Sequence, residues 1–312
     1  MNFSSYRRAI GSLLYATTLG ITVPGHAIIT PDGLPLENFT ENASVSPFNA
    51  TGGVFRGGSF TSSGVLVAPN VVVAAAHDPV NASNGSFVID GQSFDIVSAV
   101  SFGGNATDTA DGLDTIIYTL AEPVTGITPA TIYSGDLSSP DSFVGQTAFF
   151  TGLGDQGTGS NPPTGAAGDP DGVLLVGTNV IDSNGTIVLP GQDDIVLASN
   201  ILLADFDDGP DGTPNFLGGS DLPTALEVGL SVGDSGGGLF VLNEDENTYQ
   251  LLGTHSAVIN GFGFGSISAS TAFTEETRQQ VLALIPEPST LGLLALGVAG
   301  LAGYRHRGAA DR

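Results

Sequence analysis

The chain has 312 residues, 41% of them hydrophobic, with 45 glycines and neither cysteine nor tryptophan. Its 32 acidic and 7 basic residues, no lysine among them, give a formal charge of −25. Such a surface repels nucleic acid and anionic membranes, and the missing cysteines exclude thiol catalysis, thiolate zinc sites and redox switching.

In chain order, Arg7 and Arg8 precede an apolar stretch from Ile10 to Val23, and Pro24-Gly25-His26-Ala27 offers small residues for cleavage after Ala27. Residues 1–27 are therefore expected to be a signal peptide, removed on secretion. Residues 28–45 are polar and are expected to form a mature N-terminal arm. From 46 onward, short Val/Ile/Leu runs alternate with Gly, Ser, Thr, Asp and Asn clusters, which predicts an all-β body. Strand-like runs fall at 53–76, with Ala68-Pro69-Asn70 as a turn, and at 94–100, 115–120 and 143–152. More follow at 173–180, 187–189, 195–203, 239–242, 251–258 and 266–272. Residues 154–172 and 206–223 are Gly/Asp/Pro-rich and read as long surface loops. One helix is predicted over 275–285, with Val281, Leu282 and Ile285 on a shared face.

The last 27 residues hold Pro286-Glu287-Pro288-Ser289-Thr290, an apolar run from Leu291 to Tyr304, and Arg305-His306-Arg307. This order resembles the PEP-CTERM sorting signal of Gram-negative bacteria. The resemblance implies export, transient retention at the membrane and processing by an exosortase, with the basic end cytoplasmic. A simple C-terminal anchor is the alternative, although the run is short against the roughly 20 residues of a usual span. Five of the seven basic residues and two of the 32 acidic ones lie in these two end segments. The body from 28 to 285 is left with Arg56, Arg278 and 30 acids, a formal charge of −28. A body this acidic suits salty water, where screening weakens self-repulsion.

Chemistry concentrates at Gly233-Asp234-Ser235-Gly236-Gly237. A serine nucleophile needs exposure, an adjacent base and donors for an oxyanion, and flanking glycines let the backbone turn N–H groups toward one point. Gly233 and Ser235 are the candidate donors. Of the four histidines, His26 and His306 lie in the end segments, which leaves His77 and His255 as the base. His77 follows the run Val71–Ala76, and Asp78-Pro79 ends that segment at a loop. Asp114 opens the run Thr115–Leu120 and is the candidate to fix the imidazole tautomer. Its rivals are Asp111, in a turn-like Asp111-Gly112, and Asp78, which sits next to the base in sequence and so is badly suited to reach its ring.

Residues 63–77 resemble the trypsin-family segment around its catalytic histidine. Leu113–Leu120 is similar to that family's aspartate strand, and Gly233–Gly237 matches its serine motif. The resemblance spans 46–285. It implies two six-stranded antiparallel β-barrels, about 46–135 and 136–272, with a C-terminal helix and a site in the cleft between them. It also implies acyl transfer to Ser235, with His77 as base and then acid, acting on protein or peptide substrates. In that family the substrate pocket is lined from positions matching Gly229, Ser256, Ala257 and Val258. Gly229 in place of an acid, together with the bulk of Val258, implies small or medium apolar P1 residues rather than Arg or Lys. His255, beside this wall, is open to a substrate contact or a structural role. Asp234 matches a carboxylate that pairs with a newly cut N-terminal Ile, which cleavage after Ala27 would supply as Ile28; capping of local N–H groups is the alternative. No cofactor is implied, beyond a structural Ca²⁺ on the oxygen-rich loop of Asp205, Asp207, Asp208 and Asp211, with a solvated loop as the competing reading. A non-catalytic acidic surface or matrix binding protein on the same fold, and an esterase, remain open as alternative functions.

Overall fold

A computed structural model describes residues 28–102, 109–163, 173–188, 193–209, 212 and 216–285. The expected signal peptide at 1–27 and the sorting segment at 286–312 lie outside the described residues.

Six strands make a closed antiparallel barrel: β2 (Thr51–Arg56), β3 (Ser59–Ala68), β4 (Val71–Ala74), β5 (Gly85–Ile89), β6 (Gln92–Ser101) and β7 (Ile116–Leu120), in the order β2-β3-β4-β7-β6-β5. β3 from Ser62 onward and all of β4 are buried. These strands carry β-branched and small residues without a polar face, as strands covered on both sides do. β5 alternates buried and half-buried residues, as a strand with one covered face should. Pro69 and Asn70 turn β3 into β4. Because β4 and β7 are antiparallel, with Ala74 opposite Ile116, the residues just after β4 and just before β7 emerge at the same end of the barrel.

The second unit uses β8 (Thr147–Gly152), β10 (Leu175–Val180), β11 (Ser183–Asn184), β12 (Ile201–Asp205), β13 (Gly238–Asn243), β14 (Thr248–Ile259) and β15 (Ile267–Ala272). It is not the closed six-stranded barrel expected from sequence. It is a curled seven-stranded sheet in the order β10-β8-β13-β14-β15-β12-β11. Its two edges are consecutive pieces of one chain run. The Ile181 N–H donates to the Gln146 carbonyl beside β8, whereas the Asp182 N–H donates to the Leu203 carbonyl of β12. The run thus changes partner at Ile181–Asp182, which splits one strand into two.

The N-terminal arm is built into this half. Ile28 and Ile29 are fully buried, and β1 (Ile29–Thr30) pairs in parallel with β9 (Gly157–Thr158). Farther along the arm, the short helix α1 (Glu37–Thr40) buries Phe39 completely. The larger apolar core runs through both halves, from Val54 and Val72 to Phe150 and Phe240, and a smaller one gathers Ile187, Ile201, Leu203, Ile267 and Ala269. At the seam Phe48 stacks on Phe149 with ring centroids 4.6 Å apart. The closing helix α2 (Glu275–Leu284) starts at Thr274, whose side chain accepts the Thr277 N–H, with Glu275 and Glu276 in the favourable first turn. Its buried face is Thr277 and Val281, one turn apart, while Leu282 lies about 100° round the helix and is 44% exposed, contrary to the face expected from sequence. Among the described residues no helix is long and apolar enough to cross a membrane.

Candidate active site

His77 lies in the turn directly after β4, and Asp114 lies two residues before β7, so the strand register brings them together. The His77 backbone N–H donates to Asp114 Oδ1 at 2.8 Å, and ring Nδ1 lies 2.7 Å from Asp114 Oδ2. Two contacts from one carboxylate fix both the backbone and the ring. On the other side, His77 Nε2 lies 2.9 Å from Ser235 Oγ. The Asp114 side chain is 2% exposed and that of His77 20%. Burial alone would lower the His77 pKa, but the hydrogen bond and charge of Asp114, with the charge of Asp78, outweigh it and raise the pKa above the ordinary value. An imidazole held in this way can take a proton from the hydroxyl and carry a positive charge afterwards.

The two rival carboxylates part ways. Asp111 closes the 3-10 turn Thr109–Asp111 and is exposed. Asp78, thought badly set to reach the ring, brings Oδ2 within 3.5 Å of His77 Nε2. The chain turns at Ala76–His77 rather than continuing as a strand.

Ser235 sits in a tight loop held from both halves of the molecule. Gly237 N–H donates to the Asp234 carbonyl at 2.8 Å, and Gly236 N–H donates to the His255 carbonyl at 2.8 Å. From β3, Ser63 N–H donates to the Ser235 carbonyl at 2.9 Å and Ser63 Oγ donates to the Gly233 carbonyl at 2.9 Å. Gly233 and Gly236 adopt φ of 92° and 81°, values that disfavour a side chain. Among the described residues, the N–H groups of Gly233 and Ser235 donate to no protein acceptor. Two unengaged donors beside a hydroxyl are an arrangement able to hold an oxyanion.

Asp234 is fully buried. Its carboxylate receives N–H groups from Gly154 (2.9 Å), Ser231 (2.8 Å) and Ile28. Burial pushes its pKa up to about 7 despite these donors.

Gly229 is buried and exchanges both backbone hydrogen bonds with Ile29, at 2.9 and 3.0 Å. A Cβ at Gly229 would meet the Phe206 ring at 3.1 Å. Ser256 Oγ lies 2.7 Å from Thr271 Oγ1. Ser256, Ala257 and Val258 continue β14 past the part that pairs with β13, with Ala257 and Val258 paired to β15 on one edge. His255 is fully enclosed: Nδ1 lies 2.9 Å from Ser270 Oγ, the ring centroid lies 4.9 Å from that of Phe150, and burial pushes its pKa down to about 3. It belongs to the core.

Asp205 is buried, Asp207 half-buried and Asp208 exposed, while Asp211 lies outside the described residues. Among the described residues no three acidic or histidine side chains converge as a metal cluster.

Residues 284–307 match the PEP-CTERM protein-sorting motif, which indicates export and sorting to the cell envelope of Gram-negative bacteria. No curated protein matches the chain in sequence. In structure it is similar to neuropsin, a serine protease expressed in the limbic system of mouse brain (TM-score 0.51, 18% identity, covering 76% of this chain and 94% of that one). It is also similar to a Glu endopeptidase solved with MPD (TM-score 0.50, 14% identity, 84% and 97%). The fold is that of the trypsin-like serine proteases. Two features of this trypsin-like fold carry no sequence signal: the Ser63 clamp and the reach of Asp78. A serine in a strand and a polar turn residue carry no local signal. For Ile28, expected as the partner of Asp234, the structure shows full burial and a backbone N–H directed at that carboxylate.

Proposed function

We propose that the protein is an exported serine endopeptidase that hydrolyses peptide bonds through an acyl-enzyme, with His77, Asp114 and Ser235 as its triad. The observation that carries this reading is the unbroken chain of contacts from the buried Asp114 through both ring nitrogens of His77 to Ser235 Oγ. Ser235 Oγ attacks the carbonyl carbon while its proton passes to His77 Nε2. The negative charge on the former carbonyl oxygen falls to the N–H groups of Gly233 and Ser235, each such donor being worth about 10²–10³ in rate. His77 then gives the proton to the departing amine, and water, activated by the same ring, frees Ser235. Asp114 holds the tautomer and supports the imidazolium throughout.

The Ser256–Val258 segment extends beyond its β13 pairing and so can accept an extended peptide as an added strand. Position 229 carries no acid and Val258 adds bulk, so cleavage after small or medium apolar residues is expected, and a cut-site profile from a peptide library dominated by Arg or Lys would refute it. Cleavage after Ala27 would turn the buried Ile28 N–H into an ammonium facing Asp234, making signal-peptide removal the activating step. Exosortase is the expected processing partner at the C-terminus.

Labelling with a fluorophosphonate tests the nucleophile. The reading expects one adduct, on Ser235, lost in Ser235→Ala and in His77→Gln. A folded chain that takes no adduct at Ser235 would refute it.

A further inference from the structure

We propose that Asp78 is a second carboxylate acting on His77, a positioning residue at the Nε2 edge that favours the charged ring where Ser235 hands over its proton. The proposal rests on the triad reading above.

The geometry is two-sided. Asp114 Oδ2 lies 2.7 Å from Nδ1 and is buried, while Asp78 Oδ2 lies 3.5 Å from Nε2 with its side chain 47% exposed. At 3.5 Å the Asp78 contact is one of charge rather than a formed hydrogen bond. It therefore leaves Nε2 available to Ser235 Oγ at 2.9 Å.

The other groups around the ring do not cancel it. Arg56, at the end of β2, donates to the Pro79 carbonyl. Tyr118, on β7, accepts the Val80 N–H at 2.9 Å and feels both Arg56 and Asp78. Burial, helped by the charge of Asp78 and opposed by the Val80 N–H and Arg56, pushes that phenol up to about 12, so it stays neutral. Arg278 is committed elsewhere, to the carbonyls of Tyr133 and Gly135. Two anions, at opposite nitrogens, thus act on one imidazole.

The consequence has two faces. During acyl transfer the ring gains a proton at Nε2, and a carboxylate beside that atom stabilises the charge as it develops. In the resting state the same carboxylate favours the protonated ring, so activity begins at a higher pH. Because Asp78 is half-exposed, its share is screened by salt, whereas the buried Asp114 contact is not.

The test uses NMR titration of the His77 ring in the full chain, its signal identified by loss in His77→Gln. His255, pushed down to about 3, does not titrate in the same range. Asp78→Asn is expected to move the His77 midpoint to lower pH, and Asp78→Glu to restore it. Added salt should lower the parent's midpoint more than the variant's. In kinetics, the acid limb of kcat/KM should move the same way, with the plateau falling by about 1.5- to 5-fold, the range of a half-exposed pair. An unchanged midpoint in folded Asp78→Asn, or an equal salt response in both chains, overturns the proposal. So does a midpoint that shifts while the acid limb stays in place. A shifted midpoint in a parent that hydrolyses nothing supports the Asp78–His77 coupling and sinks the protease reading instead.

Discussion

Ile28 donates its backbone N–H to the carboxylate of Asp234, and both residues are fully buried. The carboxylate also accepts the N–H groups of Gly154 and Ser231 and feels the negative charge of Asp155, and among the described residues no cation is set against it. That is an unfavourable home for an anion. A free amino group at Ile28 would place a positive charge where the N–H now points.

The first prediction concerns this pair. N-terminal sequencing of active enzyme should begin at Ile28. A form that keeps residues before Ile28, or Asp234→Asn in the cleaved form, should lose at least about tenfold in kcat/KM, since breaking a buried ion pair costs about 3–5 kcal/mol. Active enzyme starting well downstream of Ile28 would contradict this.

Asp114→Asn should keep the fold and lower kcat by about 10⁴-fold, because an amide favours the wrong imidazole tautomer. Steady-state kinetics with circular dichroism as a fold control checks this. A loss under tenfold would mean that the ring does not depend on Asp114.

The predicted fold was legible where chemistry is local. The apolar run ending in Ala74-Ala75-Ala76 marked β4, and Asp114 opening Thr115–Leu120 marked β7, so His77 and Asp114 could be paired before their contact was visible. β5 was missed because Gly85-Ser86-Phe87-Val88-Ile89 follows an Asn/Ser/Gly-rich stretch and has only a short apolar end. The break between β10 and β11 was not legible either. It depends on Asp182, whose carboxylate accepts N–H groups from Asp205 and Ser220, both distant in sequence. Leu282 misled because its apolarity suggested burial, while the buried face of α2 belongs to Thr277 and Val281.

Stability should fall as pH rises. Burial, with nearby acid charges, pushes Asp207 up to about 7, and burial pushes Glu227 up to about 8 against the hydrogen bonds from Thr224. Burial also raises Asp182 and Asp205. These raised groups hold protons in the folded state that the unfolded chain releases near pH 4, so their contribution is present below that pH and is lost as pH rises through about 7–8. Melting temperature should therefore decline between pH 5 and 8, and Glu227→Gln should flatten the decline. A melting temperature that rises over this interval would contradict the assignment.

Gly236→Ala should impair both folding and turnover. The residue has φ of 81°, and a Cβ would collide with the Ser63 carbonyl and lie 2.7 Å from the Ala75 nitrogen. Since both contacts are backbone, little can yield, and a loss of about 1–3 kcal/mol is expected from the strain alone. Denaturant melts would measure it. Unchanged stability would mean that the loop is looser than its hydrogen bonds imply.

The most direct test of the central claim is casein hydrolysis by the parent and by Ser235→Ala at pH 8 in moderate salt. Hydrolysis by the parent, with none by the variant, is the result expected of a Ser235 peptidase. Equal hydrolysis by both, or none by a folded parent that begins at Ile28, would contradict it.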